Sequence, residues 1–149
     1  FKMSSASIKK IIPCKKKDLI DMVLDIDKYP EFIPWCIDGK INEKKVSEDI
    51  IEIKADLKVG KRFLYEIYSS LVIYHREKDK IIVTNIDGPL KYLKNVWEFK
   101  EINNNTQLKF DIDFELKNKL LNLIMKKSFN LGLNKITEAF EKRARQLYK

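Results

Sequence analysis

Cysteine and histidine are scarce in this chain, and each scarcity removes a class of function. Cys14 and Cys36 are the two cysteines. They are too few and too oddly spaced for a disulfide framework or a structural zinc site. Reduced thiols are then the default, and with them a cytoplasmic location. His75 is the one histidine, so a His-rich metal site is excluded and nucleophile–histidine catalysis has little material. Nothing resembles a nucleophile elbow, a phosphate-binding loop or a metal-ligand cluster, so neither a catalytic constellation nor a metal site nor a resident cofactor is expected. No run of about 18 apolar residues exists, so no membrane-spanning helix is expected. No charged-then-apolar leader precedes Ser4, so no signal peptide is expected either. Phe1-Lys2-Met3 is set aside. Repeats, linkers and low-complexity stretches are lacking too, and residues 4–149 read as a single domain.

What the chain does have is apolar and basic material. Of its 149 residues, 44% are hydrophobic and 11% aromatic, enough for a real core rather than a disordered chain. The 30 basic residues exceed the 22 acidic ones, for a net charge of +8. Such an excess attracts RNA or an anionic membrane surface. It also follows from a composition rich in Lys, Ile and Asn, and only Arg62 and Arg76 among the arginines lie outside the C-terminal segment. Arginine is the preferred residue for bidentate phosphate contacts.

The last thirty or so residues, about Asn118 to Tyr148, contain no proline. Met125, Phe129, Leu133, Ile136, Phe140, Ala144 and Leu147 recur there in steps of three and four. That spacing places one apolar stripe on a helix about 45 Å long. Lys126, Lys127, Lys135, Glu138, Glu141, Lys142 and Arg145 occupy its wet face. Gly132 falls on the stripe without contributing a side chain. A mid-helix glycine costs about 1 kcal/mol relative to alanine, so it serves either close approach of a sheet backbone or space kept for a ligand.

Upstream, the pattern is mainly of period two. Ser5 to Ile12 reads as a first strand ending at Pro13. Lys15 to Ile26 switches to helical spacing through Leu19, Ile20, Val23 and Ile26. Pro30 and Pro34 break the following segment, Asp27 to Cys36, into a kinked element. Then come Ile41 to Val46, Ile50 to Leu57, Phe63 to Tyr74, Ile81 to Ile86, Tyr92 to Ile102 and Leu108 to Leu116. In the Ile50 strand, Ile51, Ile53, Ala55 and Leu57 share one face against Glu52, Lys54, Asp56 and Lys58. Phe63 to Tyr74 is bulky at both parities, and pattern does not assign its inward side. The short connections imply an antiparallel sheet and the single long helix implies α+β packing.

Tyr29-Pro30-Glu31-Phe32-Ile33-Pro34-Trp35-Cys36 resembles the signature of the coenzyme Q-binding, START-like family, which includes ribosome-association toxins and relatives of polyketide cyclases. Ala55-Asp56-Leu57-Lys58-Val59-Gly60 with Tyr68-Ser69-Ser70-Leu71-Val72 agrees with that resemblance. So does Asp87-Gly88-Pro89 followed by Trp97-Glu98-Phe99, where Leu90 replaces the usual aromatic. The resemblance implies a helix-grip fold, an antiparallel curved sheet of about seven strands wrapped on the long C-terminal helix, with a deep apolar cavity between them. It also implies a polyprenyl quinone, ubiquinone, as ligand, and a role in respiration or quinone biosynthesis, with peripheral contact at the inner membrane. The runner-up is a ribosome binder that hinders subunit association through the basic face. A cyclase-like enzyme comes third. Glu66, Asp113 and Glu115 are its available carboxylates, and strict alternation points the last two outward.

On this resemblance Tyr29, Phe32, Pro34 and Trp35 are expected as a lid over the cavity mouth, although the same apolar groups also suit a plug in the core. Tyr68, Trp97, Phe99, Phe110 and Phe114 are expected on the sheet wall, although the last four are core residues by default and composition does not separate a wall from a core. Phe129, Gly132, Leu133, Ile136 and Phe140 are expected on the helix wall. Tyr29 and Tyr68 are the candidates to hydrogen-bond quinone ring oxygens.

Overall fold

The periodicities resolve into an ordered set of elements in the computed structural model, which describes residues 4–61 and 63–148; the side chains of Met125, Lys127 and Ser128 lie outside the description. The chain runs through β1 (Ser4–Ile12), α1 (Lys16–Leu24) and a 3₁₀ helix (Ile26–Glu31). It continues through β2 (Cys36–Val46), β3 (Ile50–Lys61), β4 (Leu64–His75) and β5 (Lys80–Asp87). It ends with β6 (Leu90–Ile102), β7 (Asn105–Leu116) and α2 (Lys119–Tyr148). The strands form one seven-stranded sheet in the order β1-β7-β6-β5-β4-β3-β2, antiparallel throughout. From β2 onward each strand pairs with the next in sequence, as short turns require. Register shifts in the β2–β3, β4–β5 and β6–β7 ladders bend the sheet.

Alternate residues of the inner strands turn to the buried face of the sheet. On β3 the inward set is Ile53, Ala55, Leu57 and Val59, as its apolar parity predicts, and on β6 it is Leu93, Asn95, Trp97 and Phe99. The inward face of β4, left open by its pattern, is Glu66, Tyr68, Ser70, Val72 and Tyr74. Burial decides this strand, because both faces carry bulky groups and only one, that of Val72 and Tyr74, is buried.

The expected Lys15–Ile26 helix stops at Leu24 and re-forms as the 3₁₀ segment around Pro30. Proline at that position has no N–H to donate and obstructs the α-helical turn before it. Tyr29 repairs the end of α1: its hydroxyl donates to the Val23 carbonyl, one of the acceptors a helix terminus leaves unpaired. At the other end of the chain, Asn118 caps α2 by accepting the Leu121 N–H at 3.0 Å.

On α2, Leu133, Phe140 and Ala144 are buried and Phe129 and Ile136 half-buried, as the stripe predicts. Met125 lies outside the described side chains. Leu147, placed on the stripe by spacing, is 50% exposed because the last turn has passed the core. Glu115 also departs from its pattern. Alternation points it outward, yet it is buried, with Lys91 Nζ at 3.4 Å. There the chain folds straight back into α2, Asn122 Oδ1 accepting the Leu116 N–H at 3.1 Å.

Gly39 explains how closely β2 lies on the 3₁₀ helix. A Cβ there would sit 2.3 Å from the Ile26 carbonyl oxygen, so the two backbones are in contact. Gly132 is the opposite case, with nothing within 4 Å of a Cβ. Gly39→Ala is therefore expected to destabilise the domain by about 1–3 kcal/mol through overpacking. Gly132→Ala is expected to stabilise it by about 1 kcal/mol through helix propensity. Paired urea melts read both, and equal responses would contradict the packing described.

Candidate functional site

The C-terminal half of α2 is clamped to the core by rings. Phe140 is 1% exposed and meets Phe32, Trp97 and Tyr29 edge-to-face at centroid distances of 5.1, 5.3 and 5.7 Å. Trp97 meets Phe110 at 4.7 Å in the same manner. Such contacts add about 0.5–1.5 kcal/mol each beyond area burial. Toward its N-terminus the helix stands off the sheet. A second, smaller cluster of Leu90, Phe114 and Leu116 receives Phe129 there, with the Phe114 and Phe129 rings 4.5 Å apart.

Between the two clusters lies a cavity of about 480 Å³, within the usual range for small-molecule sites of about 300–1,000 Å³. Its inner end is closed by Val23, Ile26, Tyr29, Ile81, Trp97, Phe110 and Phe140, all buried. Its outer end is lined by Trp35 and Leu121, themselves 39% and 50% exposed, which marks the mouth. Glu66, Val59 and Pro89 stand at the same end of the sheet.

Of the residues expected at the site, Tyr29, Pro34, Trp35, Tyr68, Trp97, Phe110, Phe114, Phe129, Ile136 and Phe140 line this cavity. Phe32 lies off the wall, between Phe140 and the Arg143 guanidinium, whose Cζ is 5.1 Å from its ring centroid. Phe99 and Leu133 are turned into the core. Gly132, between wall residues Phe129 and Ile136 on the helix, presents no side chain. The expectation missed Asn95, Ser70, Ile81 and Val83. Asn95 was findable, because it shares the parity of Leu93 and Trp97 on β6.

Polar groups in the wall are few. Asn95 is buried and satisfied: its Nδ2 donates to the Asp111 carbonyl at 3.0 Å, and its Oδ1 accepts the Trp97 indole N–H at 2.6 Å. The Tyr29 proton is committed to Val23, and burial holds its phenol far above the ordinary range. Tyr68 is half-buried, has no hydrogen-bond partner among the described residues, and is held protonated by burial and then by the Glu66 carboxylate. It is thus the wall phenol with a free proton to donate. No group of three or more metal-ligating side chains exists among the described residues.

Trp35 is held in an unusual backbone state, with φ of 65°. A bulky residue in the left-handed region is strained, at a cost of order 1–3 kcal/mol. Its carbonyl accepts the Gly60 N–H at 2.9 Å, which ties the Pro34–Trp35 corner to the β3–β4 hairpin. Lys135 Nζ lies 5.7 Å from the indole centroid, so the corner also faces α2.

Cys36, next to Trp35 on the wall, has its thiol pushed up to about 11, by burial first and by the Asp38 carboxylate second. The nucleophilic thiolate is therefore scarce at neutral pH. Alkylation of Cys36 by iodoacetamide at pH 8 is expected to run about a hundredfold slower than for a free thiol and to accelerate as pH approaches 11. Rapid labelling at pH 7 would contradict this environment.

Comparison with known proteins agrees with this geometry. The family described as polyketide cyclase/dehydrase and lipid transport matches residues 12–141. The ribosome association toxin RatA of Rickettsia prowazekii is 36% identical over 94% of this chain and 95% of its own. A mitochondrial coenzyme Q-binding protein of Dictyostelium discoideum is 29% identical over 85% of this chain and 62% of its own. Among solved structures, an 18 kDa protein of Caulobacter crescentus superposes with TM-score 0.79 at 29% identity, over 98% of this chain and 99% of its own. A START superfamily protein of Mycobacterium smegmatis does so with TM-score 0.81 at 18% identity, over 96% and 98%. The fold is thus the START-like helix grip, and the chain belongs to the polyketide cyclase/dehydrase and lipid transport family.

Proposed function

We propose that this chain holds a long apolar molecule in the helix-grip cavity and that its cellular role is to associate with ribosomes. The observation that carries the first half is the cavity itself: about 480 Å³, walled almost entirely by apolar groups, closed at one end and open at the other. Transfer of an isoprenoid or acyl chain from water to such a wall is favourable by about 25 cal/mol per Å² buried. A polyprenyl quinone suits the site, with its tail against the inner rings and a ring carbonyl accepting the Tyr68 proton. The coenzyme Q-binding relative supports that choice of ligand.

Organic extracts of protein purified from a quinone-producing host are expected to contain an isoprenoid quinone by mass spectrometry. Gly132→Leu is expected to fold and melt no lower than the parent while losing that quinone, its side chain filling space beside Phe129 and Ile136. Empty extracts, with no rise in Tm on adding ubiquinone, would rule out the quinone. A ligand at a hundred times its Kd stabilises by about 2.7 kcal/mol, which a melt detects readily.

For the cellular role, the relative named as a ribosome association toxin weighs more than the quinone-binding one, because the match spans nearly the whole of both chains. The net charge of +8 and the exposed Lys126, Lys135 and Lys142 on α2 give that reading a surface suited to phosphate. The protein is expected to sediment with ribosomes at low salt and to release steeply as salt rises. Charge reversal at Lys126, Lys127 and Lys135 is expected to abolish sedimentation without changing Tm. Failure to sediment even at low salt would sink this role and leave the ligand reading untouched.

A further inference from the structure

One strand of the cavity wall departs from the apolar character of the rest. On β4, Glu66, Tyr68 and Ser70 all line the cavity, at every second position of the strand. Alternate residues of a strand are about 7 Å apart, so the three form a polar ladder about 13 Å long. Its order runs inward: Glu66 is exposed at the mouth, Tyr68 and Ser70 are half-buried, and Val72 beyond them is buried. The register sets Val59, Leu57 and Ala55 of β3 beside the three, all of them apolar. The side chains of Glu66, Tyr68 and Ser70 have no hydrogen-bond or ion-pair partner among the described residues. Asn95 and Tyr29, by contrast, are already paired within the protein. Polar capacity open to a ligand is thus concentrated on β4.

The three rungs differ in what they can do. A carboxylate only accepts hydrogen bonds, a phenol donates one, and a serine hydroxyl does both. A ligand ring seated between Glu66 and Tyr68 therefore meets an acceptor on its mouth side. The oxygens of a quinone are acceptors as well, so one of them would face the carboxylate with no proton between. The reduced ring carries hydroxyls instead. One hydroxyl then donates to Glu66, and the other accepts from Tyr68 and donates to Ser70. Every polar group is paired in this second case. In the first, a carboxylate covered by the ligand is left without a donor, which is the costlier outcome.

We propose that the ladder of Glu66, Tyr68 and Ser70 reads the oxidation state of the ligand. It selects the hydroquinone form of a polyprenyl quinone over the quinone itself, and Glu66 is the residue that discriminates. The proposal rests on the apolar-ligand reading above and deepens it: the tail lies against the inner rings in either form, and the head group alone decides between them. Solvent at the mouth weakens the hold of Glu66, so the preference expected is about tenfold, below what a fully buried site achieves. A tenfold preference for the reduced form raises the midpoint potential of the bound two-electron couple by about 30 mV.

The test is anaerobic isothermal titration of the full chain with decylubiquinol and with decylubiquinone, which share one tail and differ only in oxidation state. The parent is expected to bind the quinol about ten times more tightly. Glu66→Gln, whose amide can donate to a carbonyl, is expected to remove or invert that preference with no change in Tm. Tyr68→Phe is expected to weaken both forms alike, since either one accepts its proton. Glu48→Gln, which changes an exposed carboxylate in the β2–β3 turn at the far end of the sheet, is expected to titrate as the parent does.

Equal affinities in the parent, or tighter binding of the quinone, would overturn the proposal and leave the ligand reading standing. So would a Glu66→Gln protein that keeps the parent's preference, because another part of the wall would then be discriminating. Binding of neither form would refute the ligand reading, and this proposal with it.

Discussion

Everything in this molecule depends on where Phe140 sits. Its ring touches Tyr29 and Phe32 from the 3₁₀ segment and Trp97 from the middle of the sheet. One side chain thus joins the three parts of the chain that short-range pairing cannot bring together. The salt bridge from Arg143 to Glu31 at 2.7 Å lies at the same junction, but half-exposed pairs of that kind contribute little. Burial of the rings holds the C-terminal half of α2 on the core, and the cavity lies between that contact and the smaller cluster around Phe129.

A helix fixed at one end and standing off at the other has unavoidable costs. Leu120, Leu123, Ile124 and Leu131 are left exposed, and Gly132 forgoes helix propensity in the middle of α2. Trp35 adds backbone strain at the mouth. None of these features serves a packed core, where alanine at Gly132 and a smaller residue at Trp35 would be more stable. Together they are consistent with a domain whose stability has been traded for an opening beside its helix.

The cavity wall and the outer surface of the domain are built from different residues. The wall is apolar at depth, and Asn95 and Tyr29 there are satisfied within the protein. The basic outer face of α2 lies outside the cavity. A ligand and a macromolecular surface can thus be bound by different residues of the same domain.

How much was legible beforehand can be read from individual residues. Strict alternation from Leu108 to Leu116 and the three-and-four steps from Phe129 to Ala144 determined the elements, because burial of one face enforces those periods at short range. The prolines at 30 and 34 determined the broken segment for the same local reason. Much of the cavity wall followed once strands and helix were assigned, since inward parity is a property of each strand. Glu115 escaped its parity only because α2 folds back over the end of β7, and β4 acquired an inward face only when one side of it met the helices. Phe32 and Tyr29 are neighbours in sequence and alike in composition, yet one lies off the wall and the other on it. The sequence alone therefore determined the elements and, where the pattern alternates strictly, most of the residues that face inward. The tertiary structure decided which inward residues touch each other and which border empty space, because that choice turns on the contacts of Phe140 with Tyr29 and Phe32, residues more than a hundred positions away.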